Sequence, residues 1–298
     1  MRIVLRLSTA LLVLMAGAAA FAADDDRTFD RVVPAQPRGV VEISNVNGKI
    51  EVSGWDRAEV SVHAELSSGE RVEVNSEGGR TGIKVVLPHS GHGGEVDLQV
   101  KVPKDSELNV SAVGSDVTTR SVLGVQRLST VSGDVNAELS GSDLELKTVS
   151  GDVRLKGHGQ PARLHVSTVS GDVHLEHGAG DLEASTVNGT LIVSLDSARS
   201  VRARTTSGDL RFVGELARGA EFEATSVSGH LNVRASADGG YRYGVSSFSG
   251  DISDCFNATP ERASRYGPGT RLEGTRGEGA GHVRLKTMSG AVELCDRP

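Results

Sequence analysis

Apolar and polar residues alternate with a period of two along most of the chain, and a recurring glycine interrupts the alternation. Around Gly133 the chain reads Ser-Thr-Val-Ser-Gly-Asp-Val, and nearly the same unit surrounds Gly151 and Gly171. The steps from Gly133 onward are 18, 20, 18, 19, 21, 21 and 40 residues, and the weaker copies lie at Gly189, Gly208, Gly229, Gly250 and Gly290. Period-two alternation predicts β-strands, and a fixed spacing predicts a repeat architecture.

Equivalent positions in successive copies carry apolar residues on both sides of the glycine. These positions lie seven and five residues before the glycine and two after it; in two successive copies they hold Leu144, Leu146, Val153, Leu164, Val166 and Val173. Each copy therefore predicts a strand, a turn and a second strand. Parallel strands stacked in register, about 4.8 Å apart, explain such columns better than antiparallel meanders.

The fold class predicted from this pattern is all-β, a parallel β-solenoid (β-helix) with rungs of 18–21 residues. Right-handed winding is the default for parallel crossovers. The predicted organisation is a signal peptide at 1–22, a flexible segment at 23–37, β-rich N-terminal rungs and a cap at 38–107, and regular repeats at 108–298. A Gly- and Arg-rich insertion at 257–281 is predicted to protrude as a loop.

The first 22 residues have the features of a secretory signal. Arg2 and Arg6 precede an apolar run that ends in Ala20-Phe21-Ala22, which predicts cleavage after Ala22. The alternative, a membrane anchor, is less favoured because the run is short for a span of about 20 residues. We therefore expect an exported protein, periplasmic or extracellular, without a transmembrane segment in the mature chain.

The net charge of the chain makes some classes of binding partner less favourable. Removing residues 1–22 leaves 30 basic and 39 acidic side chains, a net charge of −9 in place of −7. An acidic chain of this kind argues against nucleic acid as a partner, because binding to phosphates needs clustered Lys and Arg.

The two cysteines occupy one column of the repeat. Cys255 follows Gly250 by five residues, and Cys295 follows Gly290 by five. Neighbouring strands would place their Cα atoms about 4.8 Å apart, within the range of a disulfide. Export to an oxidising compartment favours the bond. Metal binding by two cysteines without a nearby histidine is the weaker alternative, and we predict neither a metal nor a cofactor.

A column of aspartates follows the turn glycine. It could form a weak ridge of oxygen ligands for cations, or each carboxylate could bind backbone N–H groups of its own turn. The sequence favours the structural interpretation; the column begins with Asp116, Asp134, Asp152 and Asp172.

Several motifs carry a resemblance to a known family. They are Val46-Asn47-Gly48, Ser53-Gly54-Trp55-Asp56, Val102-Pro103 and the recurring Thr-Val-Ser-Gly-Asp unit. With these the chain resembles, over about residues 38–296, a bacterial family of predicted adhesins, a domain of unknown function built of β-strand repeats and related to head domains of autotransporter type. The resemblance implies an envelope or surface location and an adhesive or stress-response role, and it supplies no catalytic residues.

The function predicted from these observations is that of a non-enzymatic, adhesin-like interaction module. Its partner would be a protein, a glycan or another envelope component, and the contact would involve arginines of the insertion: Arg262, Arg265, Arg271 and Arg276. The alternative is a polysaccharide lyase or hydrolase. The sequence favours it less, because such sites need paired carboxylates and aromatic platforms, and Trp55 is the only tryptophan.

Overall fold

Inward apolar and outward polar residues alternate along most strands of the computed structural model. The structure describes residues 27–67, 69–88, 93–263 and 268–296, and every regular element in this part is a strand. In the strand Leu144–Ser150, Leu144 and Leu146 are buried whereas Glu145 and Lys147 face outward. No helix occurs among the described residues, so none there is long and apolar enough to cross a membrane.

The strands are numbered in chain order. The first eleven are β1 Thr28–Pro34, β2 Val40–Trp55, β3 Glu59–Leu66, β4 Arg71–Glu77, β5 Arg80–Val86, β6 Val96–Pro103, β7 Glu107–Arg120, β8 Gln126–Ser132, β9 Val135–Glu138, β10 Leu144–Ser150 and β11 Val153–Lys156. The second eleven are β12 Pro161–Ser167, β13 Val173–Asn188, β14 Leu191–Ser207, β15 Leu210–Ser228, β16 Leu231–Ala237, β17 Tyr241–Ser249, β18 Ile252–Asp254, β19 Glu261–Arg262, β20 Thr270–Arg276, β21 Gly281–Ser289 and β22 Val292–Cys295.

Copies of the repeat pair in parallel and in register. Leu146 of β10 lies between Leu128 of β8 and Val166 of β12. Beyond the turn, Val153 of β11 pairs with both neighbouring copies in the same way. The inward side chains of all copies join one core, in which Leu146 and Val153 are fully buried.

The recurring glycine lies where neighbouring turns approach each other. Gly151 has a φ of 122°, and a Cβ added there would lie 2.2 Å from the carbonyl oxygen of Gly133. Gly208 lies outside the left-handed region, yet its Cβ would lie 2.0 Å from the carbonyl oxygen of Gly189. Close backbone approach, more than φ alone, therefore favours glycine in this column, in which Ser115 is an exception.

The last copy in the sequence is not the last copy in space. Strand β21 lies between β15 and β17, with which it pairs in parallel on both sides. Strand β22 likewise lies between β16 and β18. The C-terminal copy is thus inserted between two copies that precede it in the chain.

The N-terminal end has the same kind of arrangement. The first half of β2 lies between β5 and β7, and its second half lies between β6 and β7. The first copy in the sequence is therefore also interior to the sheet.

Antiparallel strands complete both ends. At one end β1 pairs with β3, β3 with β6, and β4 with β5. At the other end β20 pairs with β17 and with the short strand β19. These pairs cover edges that would otherwise expose unpaired main-chain groups.

The predicted fold class is wrong, although the protein is all-β and its copies do pair in parallel. All 22 strands belong to one sheet, and the arrangement is a closed parallel barrel with outer strands, not an open β-solenoid. A coil in which each copy stacks on the preceding one contains neither interleaved copies at its ends nor these antiparallel strands. The repeat identifies equivalent residues, but it does not determine the order in which copies become neighbours.

The structure contains strands in two segments for which the sequence predicted none. Thr28–Pro34, within the segment expected to be flexible, forms β1 and pairs with β3. The insertion expected to be a loop at 257–281 contains β19 and β20. The predicted signal peptide at 1–22 lies outside the described residues.

Candidate interaction surfaces

A groove of about 1020 Å³ lies at the C-terminal end of the sheet, on the outward face of β14, β15, β21, β17 and β20. Because these five strands are neighbours, their outward side chains converge there. The charged residues that line the groove are Arg202, Glu221, Glu223, Arg242, Arg271, Glu273, His282, Arg284 and Lys286. Five permanent cations therefore face three carboxylates, in a chain with a net charge of −7.

Some of these charges are already paired. Arg202 lies 3.9 Å from Glu221, and Arg271 forms an ion pair with Glu273. Arg284 and Lys286 are exposed and form no ion pair with any residue that the structure describes. The groove therefore presents two cations that are free to contact an anionic group.

The structure does not gather the four predicted contact arginines in one place. Arg271 lines the groove, whereas Arg262 is exposed on the short strand β19. Arg276 forms an ion pair with Asp296, which raises the pKa of the guanidinium, and it lies 4.3 Å over the ring of Phe256. Arg276 therefore anchors the chain just beyond β22. Arg265 lies outside the described residues.

Most of the groove lies outside the residues predicted from the sequence. Arg202, Arg242 and Arg284 lie on regular strands and not in the insertion. Comparing the outward columns of successive copies would have brought Arg202 and Arg284 together.

The predicted disulfide between Cys255 and Cys295 is present, with a Cα–Cα distance of 4.9 Å. It joins the chain just beyond β18 to the inserted strand β22. Cys255, Glu293 and Cys295 are close enough to hold an ion. Because the two sulfurs are bonded to each other, however, the pair acts as a covalent staple.

The aspartate column forms a ladder of hydrogen bonds between copies. The backbone N–H of Asp134 donates to Asp116 Oδ1 at 2.9 Å, and that of Asp152 donates to Asp134 Oδ1 at 2.9 Å. The next step runs from the N–H of Asp172 to Asp152 Oδ1 at 3.1 Å. Each carboxylate thus binds the following copy, whereas the sequence suggested its own turn. Arg154 also contacts Asp134 and Asp152, at 3.4 and 3.2 Å.

A second outward column alternates in charge. Successive partners across the parallel strands are Arg127, Glu145, His165, Glu183, Arg202, Glu223 and Arg284. A hydrogen bond from Lys147 lowers the pKa of Glu145, and the neighbouring His165 and Arg127 act in the same direction. Opposite charges on adjacent strands stabilise the sheet.

A third outward column is apolar. In the copies from β8 onward, the residue immediately after a buried threonine or serine is exposed, and in most copies it is valine; in β7 the exposed Val113 follows the buried Ala112. We call this column the apolar ridge; from β7 to β17 it consists of Val113, Val131, Val149, Val169, Val187, Thr206, Val227, Met288 and Phe248.

Solved structures resemble the chain at low identity, and no curated protein matches it. A protein named "putative adhesin" from Parabacteroides merdae is 12% identical and has a TM-score of 0.47; the match covers 91% of this chain and 97% of that one. One of the same name from Parabacteroides distasonis is 10% identical, with 91% and 98% coverage and a TM-score of 0.45. A "putative lipid binding protein" from P. distasonis is 12% identical, with 91% and 97% coverage and a TM-score of 0.35. Likenesses this weak carry no argument about function.

The family comparison is of a different kind, because it covers most of the chain. The sequence profile of the Toastrack DUF4097 family matches residues 39–295, almost the range over which the chain resembles predicted adhesins. The Toastrack fold is of a different type from an open solenoid, in agreement with the interleaved ends of the sheet. The chain therefore belongs to the Toastrack DUF4097 family.

Proposed function

We propose that this protein is an exported, non-enzymatic interaction module of the cell envelope that binds an acidic polysaccharide in the groove of β14, β15, β21, β17 and β20. One observation carries the proposal: the groove holds five cations against three carboxylates, whereas the mature chain is acidic. Arginine binds carboxylate groups through paired hydrogen bonds, and Glu223 and Glu273 can accept hydrogen bonds from sugar hydroxyls.

Titration calorimetry with polygalacturonate and with neutral dextran of similar length tests this binding. We expect the acidic polymer to bind, and we expect its affinity to fall as salt screens the contact. Arg284→Glu should weaken binding about tenfold or more, since it reverses an unpaired cation of the groove. Arg211→Glu is the matched control, because Arg211 is exposed on β15 but does not line the groove. Equal binding of dextran, or equal loss in both variants, would reject the proposal.

The absence of catalysis is part of the proposal. Glycoside hydrolysis needs two carboxyl groups placed on opposite sides of one bond. In the groove Glu221 and Glu273 contact Arg202 and Arg271, and the aromatic residues Phe222 and Tyr243 are buried in the core. We expect no new reducing ends and no unsaturated products after long incubation with polygalacturonate. Turnover that disappears in a Glu223→Gln variant would favour the alternative, a polysaccharide lyase or hydrolase.

Export is supported by the sequence of residues 1–22 and by the disulfide, since disulfides form in oxidising compartments. The location expected is the periplasm or the cell exterior. Fractionation of bacteria that express the full chain, followed by mass spectrometry of the mature N-terminus, tests this. A mature chain that begins at Ala23 is the expected result, and an uncleaved chain in the cytoplasm would contradict it.

A further inference from the structure

The apolar ridge contains most of the large apolar side chains that the protein exposes. Ten such side chains are exposed in the described part of the chain, and eight of them belong to the ridge. The exposed fraction ranges from 41% for Val187 to 59% for Met288. Monomeric proteins usually scatter exposed apolar residues singly, whereas a contiguous set marks an interaction surface.

The ridge is continuous because its neighbours on both sides pair in register. Thr130 pairs with Thr148 and Ser132 pairs with Ser150, so Val131 and Val149 are adjacent. The same register continues to β17, where Ser247 pairs with Thr287 and Ser249 with Ser289. Nine positions at about 4.8 Å per strand give a ridge about 38 Å long, measured along the sheet from strand to strand, and Thr206 interrupts it.

The two flanks of the ridge differ in charge. Two residues before each ridge position lies an outward column with Lys147, Arg204 and Lys286 and no carboxylate from β7 to β17. Lys147 and Arg204 also form ion pairs with Glu145 and Glu183 of the next outward column. Three residues after each ridge position lies the aspartate column, in which Thr190, His230 and Ala291 interrupt the series of aspartates. The ridge is therefore bordered by cations along one side and by carboxylates along the other.

We propose that the apolar ridge binds the ridge of a second copy of this chain. A second copy is the occupant favoured by charge, because the surface carries both signs on opposite flanks. Rotation by 180° about the ridge axis places the cationic flank of each molecule over the aspartate flank of the other. The antiparallel arrangement places like flank over like flank, which is repulsive. The dimer is therefore parallel, with each ridge position close to its own copy.

Sedimentation velocity over a range of protein concentrations tests the association. The protein should form a dimer that Val149→Asp weakens about tenfold or more, since it would bury an unpaired charge. Val32→Asp is the matched control, because Val32 is 57% exposed but lies on β1, away from the ridge. A protein that stays monomeric up to about 100 μM, or a dimer equally weakened by both variants, would overturn the proposal.

Cysteine cross-linking tests the orientation. In the parallel dimer Val131→Cys and Val227→Cys should each form a covalent dimer with themselves on mild oxidation. In an antiparallel dimer Val131 would face Met288, and the two copies of Val131 would lie about 29 Å apart. Val187→Cys, at the middle of the ridge, should cross-link in either arrangement and serves as the positive control.

Cross-linking at residue 187 alone would overturn the parallel arrangement. If wild-type protein is monomeric and instead binds neutral phosphatidylcholine vesicles through the ridge, the partner is lipid and the proposal fails. Val149 and Val131 do not line the groove, so substitutions at these positions leave the polysaccharide site unchanged, although Lys286 belongs to both surfaces.

Discussion

A column of buried hydroxyls, one residue before the apolar ridge, has two different states along the sheet. In the first copies the hydroxyl donates to the carbonyl two residues on; Thr148 Oγ1 lies 3.1 Å from the carbonyl oxygen of Ser150. In later copies the hydroxyls of Thr186 and Thr205 are buried without a partner among the described residues. A buried hydroxyl without a hydrogen bond costs free energy, so the same residue type contributes differently in the two halves.

Substitution of these threonines by valine should therefore have opposite effects. We expect Thr205→Val to raise the free energy of unfolding by about 1 kcal/mol, because it removes an unsatisfied hydroxyl. Thr148→Val should lower it by about 1 kcal/mol, because it removes a hydrogen bond. Urea denaturation followed by circular dichroism measures both. A loss of stability in Thr205→Val equal to that in Thr148→Val would show that the Thr205 hydroxyl is bonded in solution.

Stability at alkaline pH should depend on Tyr241. Burial raises the pKa of its hydroxyl well above the ordinary value of 10.0, and the neighbouring Asp296 raises it further. Above pH 10 the unfolded chain can lose this proton whereas the folded chain retains it, so the free energy of unfolding should fall as pH rises. Tyr241→Phe should show a smaller fall between neutral pH and about pH 11 in urea titrations. Identical pH profiles would assign the loss to other groups.

At the scale of strands, the alternating-charge column shows how a parallel, in-register sheet avoids repulsion between charged residues at equivalent positions of neighbouring copies. Stacked copies tend to place like charges about 4.8 Å apart. In the aspartate column, backbone hydrogen bonds to each carboxylate offset the repulsion between these charges. The column from Arg127 to Arg284 instead alternates basic and acidic side chains from one strand to the next. His165 contacts Glu183 at 3.4 Å, and Glu183 also contacts Arg204 at 3.5 Å.

Reversal of one charge in this column should destabilise the sheet. Glu183→Lys would place a cation beside His165, Arg202 and Arg204, and we expect a loss of about 1 kcal/mol. Glu183→Gln, which removes the charge without reversing it, should cost clearly less. Thermal unfolding in low and high salt separates the two, because the difference should shrink as salt screens the charges. A difference unaffected by salt would indicate a packing effect.

The repeat made the inward residues of each strand predictable. It did not predict which copies become neighbours at the two ends of the sheet. Alternation identified Leu146 and Val153 as inward residues, and the cysteine columns located the disulfide. The insertion of β21 beside β15 could not be predicted, because Val283 matches the same column wherever its copy lies in space. The groove was missed for a related reason: Arg202 and Arg284 are separated by 82 residues, and only that insertion places them on either side of Glu223.

At the scale of the molecule, the disulfide secures the inserted C-terminal copy. The bond spans 40 residues of sequence and joins the inserted strand β22 to the end of β18. Because it constrains the unfolded chain, it should add about 2–4 kcal/mol to the free energy of unfolding.

Loss of the bond should loosen one end of the molecule selectively. In the double variant Cys255→Ser, Cys295→Ser, hydrogen exchange should accelerate in β17, β18, β21 and β22. Exchange in β8 to β11 should change little, because local opening follows local contacts. Hydrogen exchange with mass spectrometry compares the two regions. Uniform acceleration along the whole chain would mean that the sheet opens as one cooperative unit.

The interleaved position of β21 and β22 separates the order of synthesis from the order of assembly. The residues that pair with the second edge of β15 and β16 are synthesised after β17 and β18, so those edges remain unpaired until residues 281–295 have left the ribosome. Until then, the edge of β17 that pairs with β21 has no partner strand. A chain truncated shortly before residue 281 would therefore lack two strands from the interior of the sheet and not only residues at its edge. Proteases of the quality-control system would recognise the strands left unpaired.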